Sequence, residues 1–160
     1  MTDILTIKNG RKVVNNGMNE EKVLLDEINL TIREGDFITV LGGNGAGKST
    51  LFNTIAGTLQ LSQGSISFKD QLITKDSEEK RARFLSRVFQ DPKMGTAPRM
   101  TVAENLLLAQ KRGQKRKFRL RNLKNQKEDF FRLCQEVGNG LEQHLDTPAG
   151  ELSGGQRQAL

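Results

Sequence analysis

Hydrophobic residues in this chain gather in short runs separated by glycines and charged turns, and the longest strand-like run leads directly into a glycine-rich stretch. Phe37-Ile38-Thr39-Val40-Leu41 is nearly unbroken and apolar, and Gly42 follows at once, the pattern of a parallel strand buried on both faces. Beyond the glycines, Leu51, Phe52 and Ile55 recur at core spacing for a helix over 49–56, and Gly57 stands where a left-handed residue would end it. Upstream, Leu24-Leu25 and residues 28–32 predict short strands, with Glu34-Gly35-Asp36 as the turn before the apolar run. Downstream, Ser65-Ile66-Ser67-Phe68 alternates like a half-exposed strand, Asp70-Gln71 reads as its turn, and residues 85–89 predict a second buried strand ending at Gln90. From Thr101 the period lengthens to that of a helix. Thr101 and Glu104 form a capping box with Leu106, Leu107 and Ala109 behind it. Phe130, Leu133, Cys134 and Val137 then repeat at helical spacing, with Leu141 and Leu145 beyond them. The expected fold class is α/β: a mixed or parallel sheet with helices on both faces, an antiparallel β edge, and a small helical subdomain between Gln90-Asp91-Pro92 and Gly150.

Composition narrows the setting. A chain of 160 residues and 17.9 kDa has length for one domain with a core of its own. No apolar run approaches the roughly 20 residues that span a bilayer, and Met1-Thr2-Asp3-Ile4-Leu5 has neither the basic region nor the apolar stretch of a secretory signal. Cys134 is the one cysteine, so no disulfide framework exists. It reads as a small buried hydrophobe in a reducing, cytosolic compartment. The net charge is +6, but nine of the 25 basic residues fall in one acid-free run from Lys111 to Lys127. The other 16 face 19 acidic residues, so the body is mildly acidic with one basic patch. That patch reads either as a solvated helix face or as a contact for anionic lipid headgroups or a membrane partner's loop.

Two glycine-rich motifs supply the chemistry. Gly42-Gly43-Asn44-Gly45-Ala46-Gly47-Lys48-Ser49 fits GxxxxGKS, a loop whose bare backbone curls its N–H groups around a phosphate chain. The following helix adds its unpaired amides and positive dipole end. Lys48 contributes a full charge, Ser49 a hard hydroxyl oxygen suited to Mg²⁺, and Thr50 completes the nucleotide-binding stretch. Strand before and helix after are the context this loop requires. Leu152-Ser153-Gly154-Gly155-Gln156 repeats the pattern on a smaller scale, with Ser153 as N-cap and two glycines exposing the start of a helix, and so reads as a second anion-facing site.

A Walker A loop, then Gln90-Asp91-Pro92, then LSGGQ, in that order, resembles the ATP-binding cassette (ABC) family of ATPases over nearly the whole chain. The resemblance implies a P-loop NTPase core and β edge over 1–90, the helical subdomain over 91–150, and the LSGGQ motif with the start of its helix over 151–160. It implies ATP and Mg²⁺ as cofactors, Lys48 and Gln90 as catalytic groups, Ser49 and Gln90 as metal-directed groups, and Ser153, Gly154, Gly155 and Gln156 closing over ATP held by a second subunit. The implied partners are a homodimer mate or paired ABC ATPase, an integral membrane permease and a substrate-binding protein, at the cytoplasmic face of the membrane; no nucleic acid is expected. Two departures accompany it. Where the family stacks adenine on an aromatic residue, this chain offers Val14, and it has no Tyr or Trp, so weak discrimination between ATP and GTP is expected. The family's Walker B aspartate, following glutamate and switch histidine lie beyond LSGGQ and are not in these 160 residues, which implies a chain truncated after the motif, without the C-terminal part of the core and with impaired hydrolysis. His144 precedes LSGGQ and reads as a surface residue. The segment from Val88 to Asn105 resembles an importer-type subgroup found with an amino-acid-like substrate-binding protein. Alternatives from other classes are an ABC ATPase acting on nucleic acid, disfavoured because residues 91–151 leave no room for a long coiled coil, and a nucleotide sensor without turnover.

Overall fold

Two strands of 13 residues each open the chain, β1 (Asp3–Asn15) and β2 (Glu21–Arg33), antiparallel from Asp3↔Arg33 to Asn15↔Glu21. The structure is a computed structural model that describes residues 2–15, 20–114 and 126–160. Helix α1 (Lys48–Ala56), strands β3 (Gln63–Phe68) and β4 (Gln71–Leu72) and the single turn α2 (Glu78–Arg81) follow, and the sheet order is β2-β1-β3-β4 with every pair antiparallel. The chain folds into two compact units, Met1–Leu85 and Ser86–Leu160.

In the first unit the period-2 alternation of β1 and β3 turns Leu5, Ile7 and Ile66 inward, where they meet Ile73 and partly buried Ile28, Leu30, Leu51, Ile55 and Phe68. The predicted strands at 24–25 and 28–32 merge into β2, made continuous by paired bulges: Asn9 and Glu27 both take positive φ, 50° and 47°. Asn29 joins the two bulges, accepting from Asn9 N–H at 2.9 Å and donating to Glu27 O at 3.0 Å. The β3–β4 turn falls on Lys69-Asp70, φ 45° and 64°, one residue before the predicted Asp70-Gln71.

Two strand predictions are corrected. Residues 37–41 and 85–89 belong to no sheet, and Phe37 and Leu41 are 95% and 86% exposed. A strand buried on both faces needs a backbone ladder on each side, and no segment among the described residues supplies one.

Helix α1 ends as predicted, at Gly57, whose φ of 88° lets its N–H reach Asn53 O at 3.0 Å. Phe52, expected in the core, is half exposed, while Thr54 is fully buried with its hydroxyl donating to Leu51 O. Against this C-terminal end lies Arg81, 0% exposed. Its Nη1 donates to Thr54 O (2.6 Å) and Ile55 O (2.8 Å), Nη2 to Ile73 O (2.7 Å) and Thr74 O (3.0 Å), and Nε to Asp76 O (3.1 Å).

The second unit packs α3 (Val102–Gln110) and α4 (Lys127–Val137) around Val102, Ala103, Leu107, Phe130, Cys134, Leu141, Leu145, Ala149 and Leu152. The Thr101–Glu104 capping box is formed in both directions, at 3.0 and 3.2 Å. On α4 only Phe130 and Cys134 are buried; Leu133 and Val137, expected beside them, are about half exposed. The i, i+4 pair suffices to fill the space left by α3. Of the basic run, residues 115–125 lie outside the described residues, Lys127 pairs with Asp146 at 2.7 Å, and Arg112 donates to Ser86 Oγ. His144 is half-buried, with Nδ1 3.4 Å from Thr147 Oγ1, and not the surface residue expected. No described helix is long and apolar enough to cross a membrane.

Cys134 is 2% exposed, and burial first, with the nearby Glu142 charge second, pushes its thiol above the ordinary range. A thiol reagent at pH 8 is expected to leave Cys134 essentially unmodified in the native chain and to react stoichiometrically once the chain is unfolded in guanidinium; rapid native labelling would contradict this packing.

Candidate nucleotide-binding site

The glycine loop spans residues 42–47 and ends at the first residue of α1. Gly45 and Gly47 take φ of 84° and 83°, the left-handed region. At Gly47 the demand is also steric, since a Cβ there would sit 2.8 Å from Leu24 O and 3.2 Å from Leu25 Cδ2. The backbone of β2 therefore backs the loop closely, and only glycine allows the chain to turn from loop to helix at that distance.

Gly47 caps α1 without a side chain, and the first turn of α1 holds no acidic residue. The first i→i−4 bond is Leu51 N–H to Gly47 O at 2.8 Å, so the amides of Lys48, Ser49 and Thr50 have no intrahelical carbonyl to donate to. The helix's own cap and first turn thus supply no side-chain counter-charge to its positive end. Lys48 folds back over the loop, its Nζ donating to Gly42 O at 2.5 Å and Gly43 O at 2.7 Å. Residues 42–46 and Ser49 are exposed, and Gly47, Lys48 and Thr50 are half-buried. Carbonyls of the loop are thus drawn toward the lysine while an ammonium, free helical amides and the Ser49 hydroxyl share one short segment. That donor set fits a polyphosphate carrying a hard cation. Val14 lies in the same unit, on β1 opposite Lys22, and is half-buried.

The other expected site residues lie in the second unit. Gln90 is exposed at a bend, before Asp91, whose carboxylate accepts from Lys93 N–H at 2.9 Å and starts the 3-10 turn Pro92–Met94. Ser153 caps α5 (Gly154–Ala159) in a capping box, Gln156 N–H to Ser153 Oγ at 3.3 Å and Ser153 N–H to Gln156 Oε1 at 3.2 Å. Leu152 is anchored in the core, 6% exposed. Gly154 and Gly155 are exposed, and a Cβ on either would meet nothing within 4 Å. Each glycine inside a helix costs about 0.5–1 kcal/mol relative to alanine. Among the described residues no packing contact requires a glycine at either position.

Sequence reasoning missed the groups that hold this motif still. Arg157 donates to Ala149 O (2.9 Å), Gly150 O (2.6 Å) and Leu152 O (3.1 Å), clamping the turn before Ser153. Asn105 closes the 97–101 loop, accepting from Ala97 N–H at 2.8 Å and donating to Ala97, Met100 and Thr101 carbonyls. That loop is zipped to 145–150 through Val102 N–H to Thr147 O, Ala149 N–H to Met100 O and Gly150 N–H to Pro98 O. The only sequence signal for these roles was an arginine or asparagine beside exposed loop carbonyls.

The profile of the ABC transporter family matches residues 25–160. A tyrosine transport ATP-binding protein of Clostridioides difficile is 39% identical over 157 residues, which cover 98% of this chain and 62% of that protein. A solved ATP-binding cassette of an ABC transporter, in its ADP conformation, superposes with TM-score 0.73 at 30% identity over 99% of this chain and 62% of its own. A dimeric bacterial ABC transporter cassette does so with TM-score 0.73 at 25% identity over 98% and 66%. The chain therefore spans about two thirds or less of each of these proteins. With loop, capped motif and fold in agreement, it belongs to the ABC transporter family and has the α/β, P-loop NTPase fold of its ATP-binding cassettes.

Proposed function

We propose that this chain binds Mg·ATP through residues 42–50 and serves in the ATP-binding subunit of a membrane transport system. The observation that carries the reading is the uncapped, acid-free start of α1 with Lys48 folded over the glycine loop. Lys48 and the amides of α1's first turn would hold the β- and γ-phosphates, and the Ser49 hydroxyl would ligate Mg²⁺, which neutralises the charge that develops on phosphoryl oxygens. Gln90 is assigned to the metal and the attacking water, and Ser153, Gly154, Gly155 and Gln156 to the nucleotide held by a second copy or a paired ATPase. The unhindered glycines at 154 and 155 support that last assignment, as does the dimeric assembly of one of the similar cassettes.

A permease and a substrate-binding protein complete the proposed system, with the chain peripheral to the cytoplasmic face of the membrane. Transport of an amino-acid-like solute is supported by the tyrosine transport relative. The loop reads phosphates and says nothing about solute, so solute choice is assigned to the partners.

Calorimetry of the 160-residue chain is expected to register Mg·ATP binding that weakens about 30-fold in Lys48→Ala. A charge pair at 4 Å and an effective dielectric of 20 is worth about 4 kcal/mol, and Lys48 must give up its bonds to Gly42 and Gly43, so about 2 kcal/mol remains. Uptake indifferent to Lys48, or none, would sink the reading. Competition with GTP is expected to show weak preference in the native chain, and Val14→Phe to raise ATP affinity about 2- to 10-fold; a strong native preference for ATP would contradict the role given to Val14.

A further inference from the structure

Arg81 is the most deeply buried charged side chain among the described residues, and its hydrogen bonds go to main-chain carbonyls rather than to a carboxylate. Its five N–H donors are all used, each on a main-chain carbonyl. Two of the carbonyls, Thr54 O and Ile55 O, belong to the last turn of α1, where no intrahelical donor exists for them. The other three, Ile73 O, Thr74 O and Asp76 O, belong to the turn after β4. A planar fork of five donors can bridge two backbone segments in this way; an ammonium with three donors cannot. Gly57 completes the fit. A Cβ there would stand 3.0 Å from Arg81 Cδ and Nε and 3.1 Å from Asp76 O.

The helix so anchored is the one that starts at Lys48. At nine residues it is about 13 Å long, too short to hold its conformation or direction by itself. Its N-terminal amides and Lys48 can present one fixed geometry to a ligand only if the far end is tied down. We propose that Arg81 is a positioning residue for the phosphate loop: by gripping the last carbonyls of α1 and tying them to the 73–76 turn, it aims the opposite end of the helix at the bound triphosphate. It touches no phosphate and acts through α1. The negative end of the helix dipole and the guanidinium charge attract each other at this same junction.

The inference rests on the Mg·ATP reading of the loop, and the two fail separately. Absence of Mg·ATP binding by the native chain removes that reading. Native binding that Arg81 does not influence removes only this one. The test compares Arg81→Met, Arg81→Lys and a control, Leu107→Ala, which loosens the core of the second unit, a cluster that contains no residue of α1. Mg·ATP affinity is expected to fall about tenfold in Arg81→Met and less in Arg81→Lys. The control, compared at matched loss of melting temperature, stays within about twofold of native. Equal affinities for Arg81→Met and the control would reduce Arg81 to a structural cap and overturn the proposal. Should Arg81→Met fail to fold, amide exchange on the native chain decides. Mg·ATP is expected to protect the 52–57 and 73–81 amides together with the loop, and protection confined to residues 42–51 overturns the proposal.

Discussion

Arg81 and Lys48 answer the two ends of α1 with a cation each, and both do so through main-chain carbonyls. At the C-terminal end the guanidinium is fully buried and fully bonded, so the carbonyls of Thr54 and Ile55 find donors that the helix cannot provide. Burial lowers the proton affinity of Arg81, with Asp76 acting in the opposite sense. An arginine remains charged under such pressure where a lysine would shift. At the N-terminal end the ammonium of Lys48 rests on Gly42 O and Gly43 O. The amides behind it have no such answer among the described residues, and the proposed phosphate site rests on that asymmetry.

The second unit solves a related problem by different means. A glycine pair at the start of α5 weakens the helix it opens, so the surrounding structure holds it in place. Leu152 is sunk in the core, Arg157 clamps the three carbonyls before Ser153, and the capping box orders Gln156. The backbone bonds between 98–103 and 145–150 join that clamp to the loop closed by Asn105. The motif is therefore anchored on both sides although its two glycines are bare, as the proposed approach of a second subunit would require.

Local chemistry was legible in the sequence wherever a few adjacent residues determine the outcome. The glycine loop, the helix after it, the left-handed Gly57 and the Thr101–Glu104 box all depend on neighbours in sequence, and all formed where expected. Features that depend on distant partners were not. The apolar runs at 37–41 and 85–89 have strand composition but no ladder among the described residues. Strand β1 was missed because its alternation, Leu5 and Ile7 inward with Thr6 and Lys8 between, is broken at the Asn9 bulge. Arg81 sits in Glu78-Glu79-Lys80-Arg81-Ala82-Arg83, where five of six residues are charged and no apolar periodicity marks a buried position. Its burial follows from five carbonyls supplied by two other segments, a fact no local pattern encodes.

The central claim is that a polyphosphate binds at the free amides beginning α1. Backbone amide shifts of the isotope-labelled chain, followed while Mg·ATP is titrated in, test it most directly. Saturable shifts centred on residues 43–51 are predicted, with the largest at Gly45, Gly47 and Lys48. No saturable shift in that segment, or shifts confined to other parts of the chain, would contradict it.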